Sequence, residues 1–408
     1  MQTTSPSTSP SRAGFEQDCR DAVSGLRAAL IDLYDSCGAD PTAPQDVARR
    51  FGINKTLTWT VARMLQEPDL LSAAALVPGL GSIERIVASA ESMGASAASA
   101  DRVRTAAAAF ESMATHHVGD RAALELALDS MGVSSADALE VSRRLAFRGN
   151  SGIHGVQAKV RLLCGFLLPS DDPEFVDLAM ISGYVGFRRL RETPRWPLFR
   201  VRSWGGPSDP VATQRWQPIE GALSNGILPE FSRGYQAELQ EVESPDGHEY
   251  LLLPGPVGNT GAFDLIRGES LRRGASRHAR EEEFGDTGEF GANITTPVEH
   301  LVFDLVIHGS LAFALNAETL VFSRIFDQGR PTGTGVAEQL PISPQAIELP
   351  GRPPAVATPL VPGYSEMLAE VAPRVGCDLK ACRAIRLEMR FPPLGSTVTL
   401  RFPLPRQP

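Results

Sequence analysis

Apolar residues recur at helical spacing through the first third of the chain, and this pattern predicts amphipathic helices. Three stripes carry it: Cys19, Val23, Leu26, Leu30 and Leu33; Val103, Phe110 and Met113; and Leu124, Leu128 and Met131. Short segments rich in Gly, Pro or Ser separate the stripes, as expected for turns between helices. We therefore predict an all-helical domain over residues 14–149. The Ser, Thr and Pro content of residues 1–13 predicts a disordered tail before it.

After residue 149 the pattern changes to short apolar runs punctuated by Gly and Pro, which is typical of strands. The strand candidates are residues 160–168, 175–185, 250–253, 301–307, 319–325, 384–391 and 397–402. The last two flank the sequence Pro-Pro-Leu-Gly-Ser and predict a C-terminal β-hairpin. Helical patterns recur at 230–243 and 364–371, and Pro/Gly-rich loops are expected at 205–226 and 329–362. The chain is therefore predicted to be α+β and multidomain, with a mixed α+β domain over residues 150–408.

Residues 42–65, TAPQDVARRFGINKTLTWTVARML, have the pattern of two short helices joined by a tight turn. Pro44 suits the first turn of a helix, where a missing N–H costs little. Ala48 is small where two helices would cross. Gly52 stands where the turn needs a left-handed backbone, and Asn54 can cap the second helix. The segment resembles the helix-turn-helix of bacterial transcriptional regulators, in which this Ala-x-x-x-Gly spacing recurs. The resemblance implies that the second helix lies in the major groove of double-stranded DNA.

A rotation of 100° per residue assigns the faces of that second helix. Leu57, Val61 and Met64 point inward, and the outward residues are Lys55, Thr56, Trp59, Ala62 and Arg63. Basic side chains here would contact phosphate or guanine, and a threonine would contact phosphate or a thymine methyl group. The predicted DNA-binding residues are therefore Lys55, Thr56, Trp59 and Arg63.

The alternative is a tri-helical unit used for protein contact or dimerisation, with Trp59 as its anchor. Residues 1–66 hold seven basic and seven acidic side chains and so carry no net charge. This balance leaves both interpretations open.

A second segment, Pro78-Gly79-Leu80-Gly81, resembles the hairpin of a helix-hairpin-helix. The resemblance implies that backbone N–H groups at Gly79 and Gly81 bind a DNA phosphate, as an anion binds at a helix N-terminus. An ordinary turn between packed helices is the alternative.

Residues 184–204 hold six arginines against one acid, with aromatic residues between them. The arginines are Arg188, Arg189, Arg191, Arg195, Arg200 and Arg202. Guanidinium groups beside aromatic faces predict a surface for a nucleic-acid backbone or a small anionic ligand. The alternative is a pair of strands with the aromatic rings inside and the arginines extending outward.

Catalytic and metal sites are not predicted. His300, Asp304 and His308 alternate with apolar residues, which indicates an amphipathic strand whose two histidines lie roughly 26 Å apart, too far to share a metal. The sequence contains no nucleophile elbow, dinucleotide fingerprint or phosphate loop. We therefore expect no cofactor and no enzyme. An enzyme site in the second domain, using His154, His300 or His308, is kept as a third alternative.

Composition limits the location and the partners. The formal net charge is −9, the five cysteines form no disulfide framework, and neither a secretory signal nor a plain membrane span is recognisable. We expect a cytoplasmic protein without a membrane partner. The leading hypothesis is a homodimeric DNA-binding transcriptional regulator whose C-terminal domain senses a ligand or drives oligomerisation. A non-enzymatic adaptor protein is the alternative.

Overall fold

The computed structural model describes residues 12–130, 136–202, 216–244, 247–279, 286–324 and 338–407. The chain divides into two compact units, Met1–Leu139 and Glu140–Pro408. Residues 1–11 of the predicted tail, and residues 205–215 and 329–337 of the two predicted loops, lie outside the described residues.

Helices dominate the first part of the chain, and the prediction of a helical N-terminal part before a strand-rich part is confirmed. The helices are α1 (Arg12–Ser36), α2 (Pro44–Phe51), α3 (Lys55–Gln66), α4 (Leu70–Ala74), α5 (Leu80–Ser92), α6 (Ala97–Val118), α7 (Arg121–Ser130) and α8 (Ala136–His154).

One hydrophobic core holds the first unit together. The predicted stripe of α1 is fully buried, including Cys19, Leu26 and Leu33. It packs with Val103 and Phe110 of α6 and with apolar side chains of α2 to α5 in a single cluster. The helical spacing in the sequence therefore marks the inward side of α1 and α6 correctly. In the third predicted stripe Leu124 and Leu128 are buried, while Met131 lies outside the described residues.

Strands dominate the second unit. They are β1 (Val156–Pro169), β2 (Phe175–Arg189), β3 (Trp196–Arg202), β4 (Gln217–Pro218), β5 (Arg233–Gly234), β6 (Leu239–Ser244), β7 (Gly247–Leu252), β8 (Phe263–Ser276), β9 (Thr287–Ile294), β10 (Val298–His308), β11 (Glu318–Ser323), β12 (Ala346–Leu349), β13 (Cys382–Arg390) and β14 (Ser396–Pro403). One long helix, α9 (Tyr364–Arg374), lies between β12 and β13. Each of the seven strand candidates overlaps one of these strands.

The central sheet has the order β12-β13-β10-β1-β2-β8, with β4 and β5 both paired to β8. Strands β1 and β10 are parallel, and the other pairs are antiparallel. Helix α9 packs on one face of this sheet through Tyr364, Leu368 and Val371. Two small sheets, β11-β14-β9 and β3-β7-β6, complete the second unit. Consecutive residues of β1 and β10 are buried, so both faces of the central sheet are covered. Polar side chains such as Arg161 and Asp304 are therefore buried together with the apolar ones.

The predicted C-terminal hairpin is wrong, because β13 and β14 belong to different sheets. Strand β13 is paired with β10 and β12, while β14 is paired with β9 and β11, so neither strand has an edge free for the other. Phe391, just after β13, has a φ of 48°, which turns the chain away from the central sheet.

Three smaller predictions also need correction. Residues 230–243 form a 3-10 turn and strands rather than a helix. Strands β4 and β12 lie inside the segments predicted to be loops. The strand β10 is not amphipathic, because Asp304 is fully buried beneath α9.

Candidate nucleic-acid interface

The bounds of α2 and α3, and of the three residues that join them, follow from individual side chains. Pro44 occupies the start of α2. Gly52 ends α2 with a φ of 66°, a left-handed conformation that favours glycine, and its N–H donates to the carbonyl of Ala48. The side-chain oxygen of Asn54 accepts a hydrogen bond of 2.8 Å from the N–H of Thr56 and caps α3.

The inward side of α3 carries Val61 and Met64, both buried, as the sequence predicts. Thr58 is also buried, and its hydroxyl donates to the carbonyl of Lys55 at 2.9 Å, so this polar group is satisfied. Ala62, which helical rotation places outward, is only 4% exposed. The buried side of α3 is therefore wider than predicted and includes Thr58 and Ala62.

The outward side of α3 presents Lys55, Thr56, Trp59 and Arg63, all of which are exposed. Trp59 is 49% exposed although it is the largest side chain on the helix. Lys55, Trp59 and Arg63 follow one another at intervals of four residues, so they form a single stripe about 12 Å long. The major groove of B-DNA has about the same width. We call Lys55, Thr56, Trp59 and Arg63 together the α3 stripe.

The other basic residues around α3 have structural partners. Arg49 pairs with Asp46 on α2. Arg50 donates to the carbonyls of Cys37 and Gly38, just after the end of α1. Arg27 donates to the carbonyls of Met64 and Glu67 at the end of α3. Within the described part of the chain, Lys55 and Arg63 make no ion pair, so their charges are available to an external anion.

The hairpin between α4 and α5 exposes both of its glycines. Gly79 has a φ of −64°, which any residue can adopt, and a Cβ at Gly79 or Gly81 would meet no atom within 4 Å. The absence of side chains therefore leaves open space in front of the N-terminus of α5. Glu84 nearby forms an ion pair of 2.8 Å with Arg104, whose hydrogen bonds lower the pKa of that carboxyl.

The six arginines of residues 184–204 lie in different environments. Arg189 is 1% exposed and donates to the carbonyl of Leu253. Arg188 donates to the side-chain oxygen of Gln157 when that amide is oriented to accept it, and Arg191 donates to the carbonyl of Ile153. Arg195 is exposed. Arg200 and Arg202 belong to β3, and their side chains lie outside the described residues. Because Arg189 is buried, the six arginines do not form the single exposed surface that the sequence predicts.

Two buried arginines of the central sheet were not found from the sequence. Arg161 on β1 and Arg267 on β8 both lie against the ring of Phe199, at 5.8 and 5.1 Å from its centroid. Arg267 pairs with the buried Glu269 at 2.6 Å, whereas Nη1 of Arg161 donates to two backbone carbonyls. Burial lowers the pKa of Arg161, and the neighbouring Arg267 lowers it further. These groups tie β1 and β8 to the overlying sheet.

The second buried ion pair joins β10 to β13. Arg386 donates to both carboxylate oxygens of Asp304, at 2.8 and 2.7 Å, and to the carbonyl of Val356 at 2.6 Å. Burial raises the pKa of Asp304, and Arg386 opposes that rise. Because all of these groups are enclosed, the pair holds the fold together and does not face a substrate.

The histidines proposed for an enzyme site are spread over the second unit. His300 is the register partner of Arg390, which forms an ion pair of 2.7 Å with Glu140. His154 lies beside an indole ring, and His308 contacts a serine two residues later. Within the described ranges, no three His, Cys, Asp or Glu side chains are arranged to hold a metal, and no helix is long and apolar enough to span a bilayer.

Comparison with known proteins identifies no relative. No protein-family model, curated protein or solved structure matches this chain.

Proposed function

We propose that this protein is a DNA-binding transcriptional regulator in which α2 and α3 form a helix-turn-helix. The observation that carries the proposal is the α3 stripe: two cations without ion-pair partners in the described part of the chain and an exposed aromatic ring, on one side of a helix whose other side is packed. In this proposal α3 enters the major groove, Lys55 and Arg63 contact phosphate or guanine, and Thr56 contacts phosphate or a thymine methyl group.

The exposed hairpin at Gly79 and Gly81 supports the same partner, because open backbone at a helix N-terminus suits a DNA phosphate. A single stripe with two available cations supplies little affinity, so we expect a homodimer that places two copies of α3 about one helical turn apart on the duplex. The second unit would then serve oligomerisation or ligand sensing in the cytoplasm.

The test is fluorescence anisotropy with the protein's own upstream DNA and with a scrambled duplex, at two salt concentrations. Selective binding that persists at the higher salt indicates base readout. In the double variant Lys55→Glu/Arg63→Glu, we expect the affinity for the preferred duplex to fall by at least about 100-fold. Retained preference in this variant would exclude α3 as the recognition helix.

A matched control is available on α8, where Arg144 and Arg148 are also exposed. Arg144→Glu/Arg148→Glu changes the net charge by the same amount but leaves the α3 stripe intact. If both double variants lose the same affinity, the effect is general electrostatic repulsion and the proposal fails. Circular dichroism verifies that both variants remain folded.

A second candidate function is protein contact through Trp59, because a half-exposed tryptophan at the centre of a helix is a typical interface anchor. In this case the protein binds both duplexes equally and weakly. Trp59→Ala would then abolish binding of a protein partner without changing the affinity for DNA.

A further inference from the structure

A cleft of about 420 Å³ lies between α1 and α6 in the first unit. The space exists because both helices present small residues there: Ala22 and Gly25 on α1, and Ala106 and Ala109 on α6. A Cβ placed on Gly25 would meet no atom within 4 Å. The volume is within the range of sites for small molecules, which often lie between the helices of a bundle.

The chemistry of the cleft favours a cation. Asp18 and Asp21 lie on its α1 side, His116 and His117 line its α6 side, and no Arg or Lys lines it. Asp18 is 2.8 Å from a ring nitrogen of His117, while Asp21 accepts a hydrogen bond of 2.9 Å from Gln17. In the described part of the chain, Asp21 has no cationic partner. The small residues and Met113 supply an apolar wall beside these carboxylates.

Helix α1 also connects the cleft to the α3 stripe. Arg27, close to Gly25 along the helix, donates to the carbonyls of Met64 and Glu67 at the end of α3. Arg20, between the two acidic residues of the cleft, pairs with Asp69, which caps α4. A ligand that changes the packing of α1 against α6 therefore acts on contacts that position α3.

We propose that this cleft binds a small organic amine with an apolar body, with its ammonium group at Asp21 and Asp18. The second part of the proposal, which rests on the DNA-binding function proposed above, is that the bound amine alters the affinity of the α3 stripe for DNA. The cleft is thus an effector site in the helical unit.

The binding test uses isothermal titration calorimetry of the full-length protein with three probes of similar shape: n-hexylamine, 1-hexanol and hexanoate. We expect saturable binding of hexylamine, binding of hexanol weaker by at least about tenfold, and no binding of hexanoate, because only the amine gains the attraction of the carboxylates. Equal affinity for amine and alcohol, or no saturation by hexylamine below about 10 mM, would overturn the proposal.

Variants locate the site. Gly25→Leu fills the cleft and should abolish binding, whereas Gly25→Ala, at the same position, should bind hexylamine more weakly by less than about threefold. Asp21→Asn should weaken binding by at least about fivefold, and the exposed Asp35→Asn on the same helix should leave it unchanged. Binding that survives Gly25→Leu lies elsewhere and contradicts the proposal.

Two further measurements separate the possible failures. If sedimentation shows a dimer that Gly25→Leu dissociates, a second copy of the chain occupies the cleft and the proposal is wrong. Anisotropy with and without hexylamine then tests the effect on DNA. Selective DNA binding without amine binding removes only the effector site, whereas amine binding without selective DNA binding removes only the proposed function.

Discussion

The buried ion pair between Asp304 and Arg386 allows the sharpest quantitative test of the second unit. Arg386→Met removes three hydrogen bonds and leaves a fully buried carboxylate without its counter-charge. Breaking one partner of a buried pair costs about 3–5 kcal/mol. For a unit of this size, about 2–4 °C is lost for each kcal/mol, so the midpoint of thermal unfolding should fall by roughly 6–20 °C.

Scanning calorimetry measures this change, and the same strand supplies its control. Arg383→Met removes the partly exposed pair with Glu348 and should cost less than about 1 kcal/mol. The double variant Asp304→Leu/Arg386→Met leaves no buried charge at this site and should recover most of the loss. If Arg386→Met costs no more than Arg383→Met, or if the double variant is less stable than the single one, the reasoning is refuted.

Gly52→Ala should lower the free energy of unfolding by about 1 kcal/mol, because Gly52 has a φ of 66° that alanine adopts only with strain. Gly25→Ala should raise it by about 0.5–1 kcal/mol, because alanine is the better helix former inside α1. If urea denaturation shows the same sign for both variants, this reasoning is contradicted. Burial, aided by Arg390, lowers the pKa of His300 below its ordinary 6.5. The unfolded chain therefore binds this proton more tightly, and stability should rise with pH between the folded-state pKa and 6.5. His300→Gln should remove that part of the rise in urea denaturation across this range, and an unchanged profile would oppose the assignment. All five cysteines are buried, and burial raises the pKa of Cys19 to about 11. An aromatic disulfide reagent should modify none of them rapidly before unfolding and all five afterwards; a fast-reacting thiol in the native protein would contradict this burial.

Local periodicity in the sequence was sufficient to predict the apolar sides of α1 and α6 and seven of the strands. The stripe from Cys19 to Leu33 identifies the buried side of α1 because each residue there faces the same core. The C-terminal hairpin failed for a physical reason as well. Strand β14 pairs with β9, about a hundred residues earlier in the chain, and no local pattern specifies such a distant partner.

Charged residues at buried positions concealed other parts of the second unit. Strand β8 was missed because Arg267 and Glu269 stand at positions that an ordinary strand fills with apolar residues. Asp304 was interpreted as solvent-facing because its partner Arg386 is 82 residues away, and their contact is apparent only once β10 and β13 are in register. On α3, in contrast, helical rotation alone correctly places Lys55, Thr56, Trp59 and Arg63 on the exposed side. It fails only for Ala62, which is buried.

Selection from a pool of random duplexes tests most directly whether the α3 stripe reads DNA sequence, because the pool contains every candidate operator. The proposal predicts that the wild-type protein enriches one motif with two half-sites about one helical turn apart, and that Lys55→Glu/Arg63→Glu enriches none. No enrichment by the wild type, or the same motif enriched by both proteins, would contradict the assignment of α3 as the recognition helix.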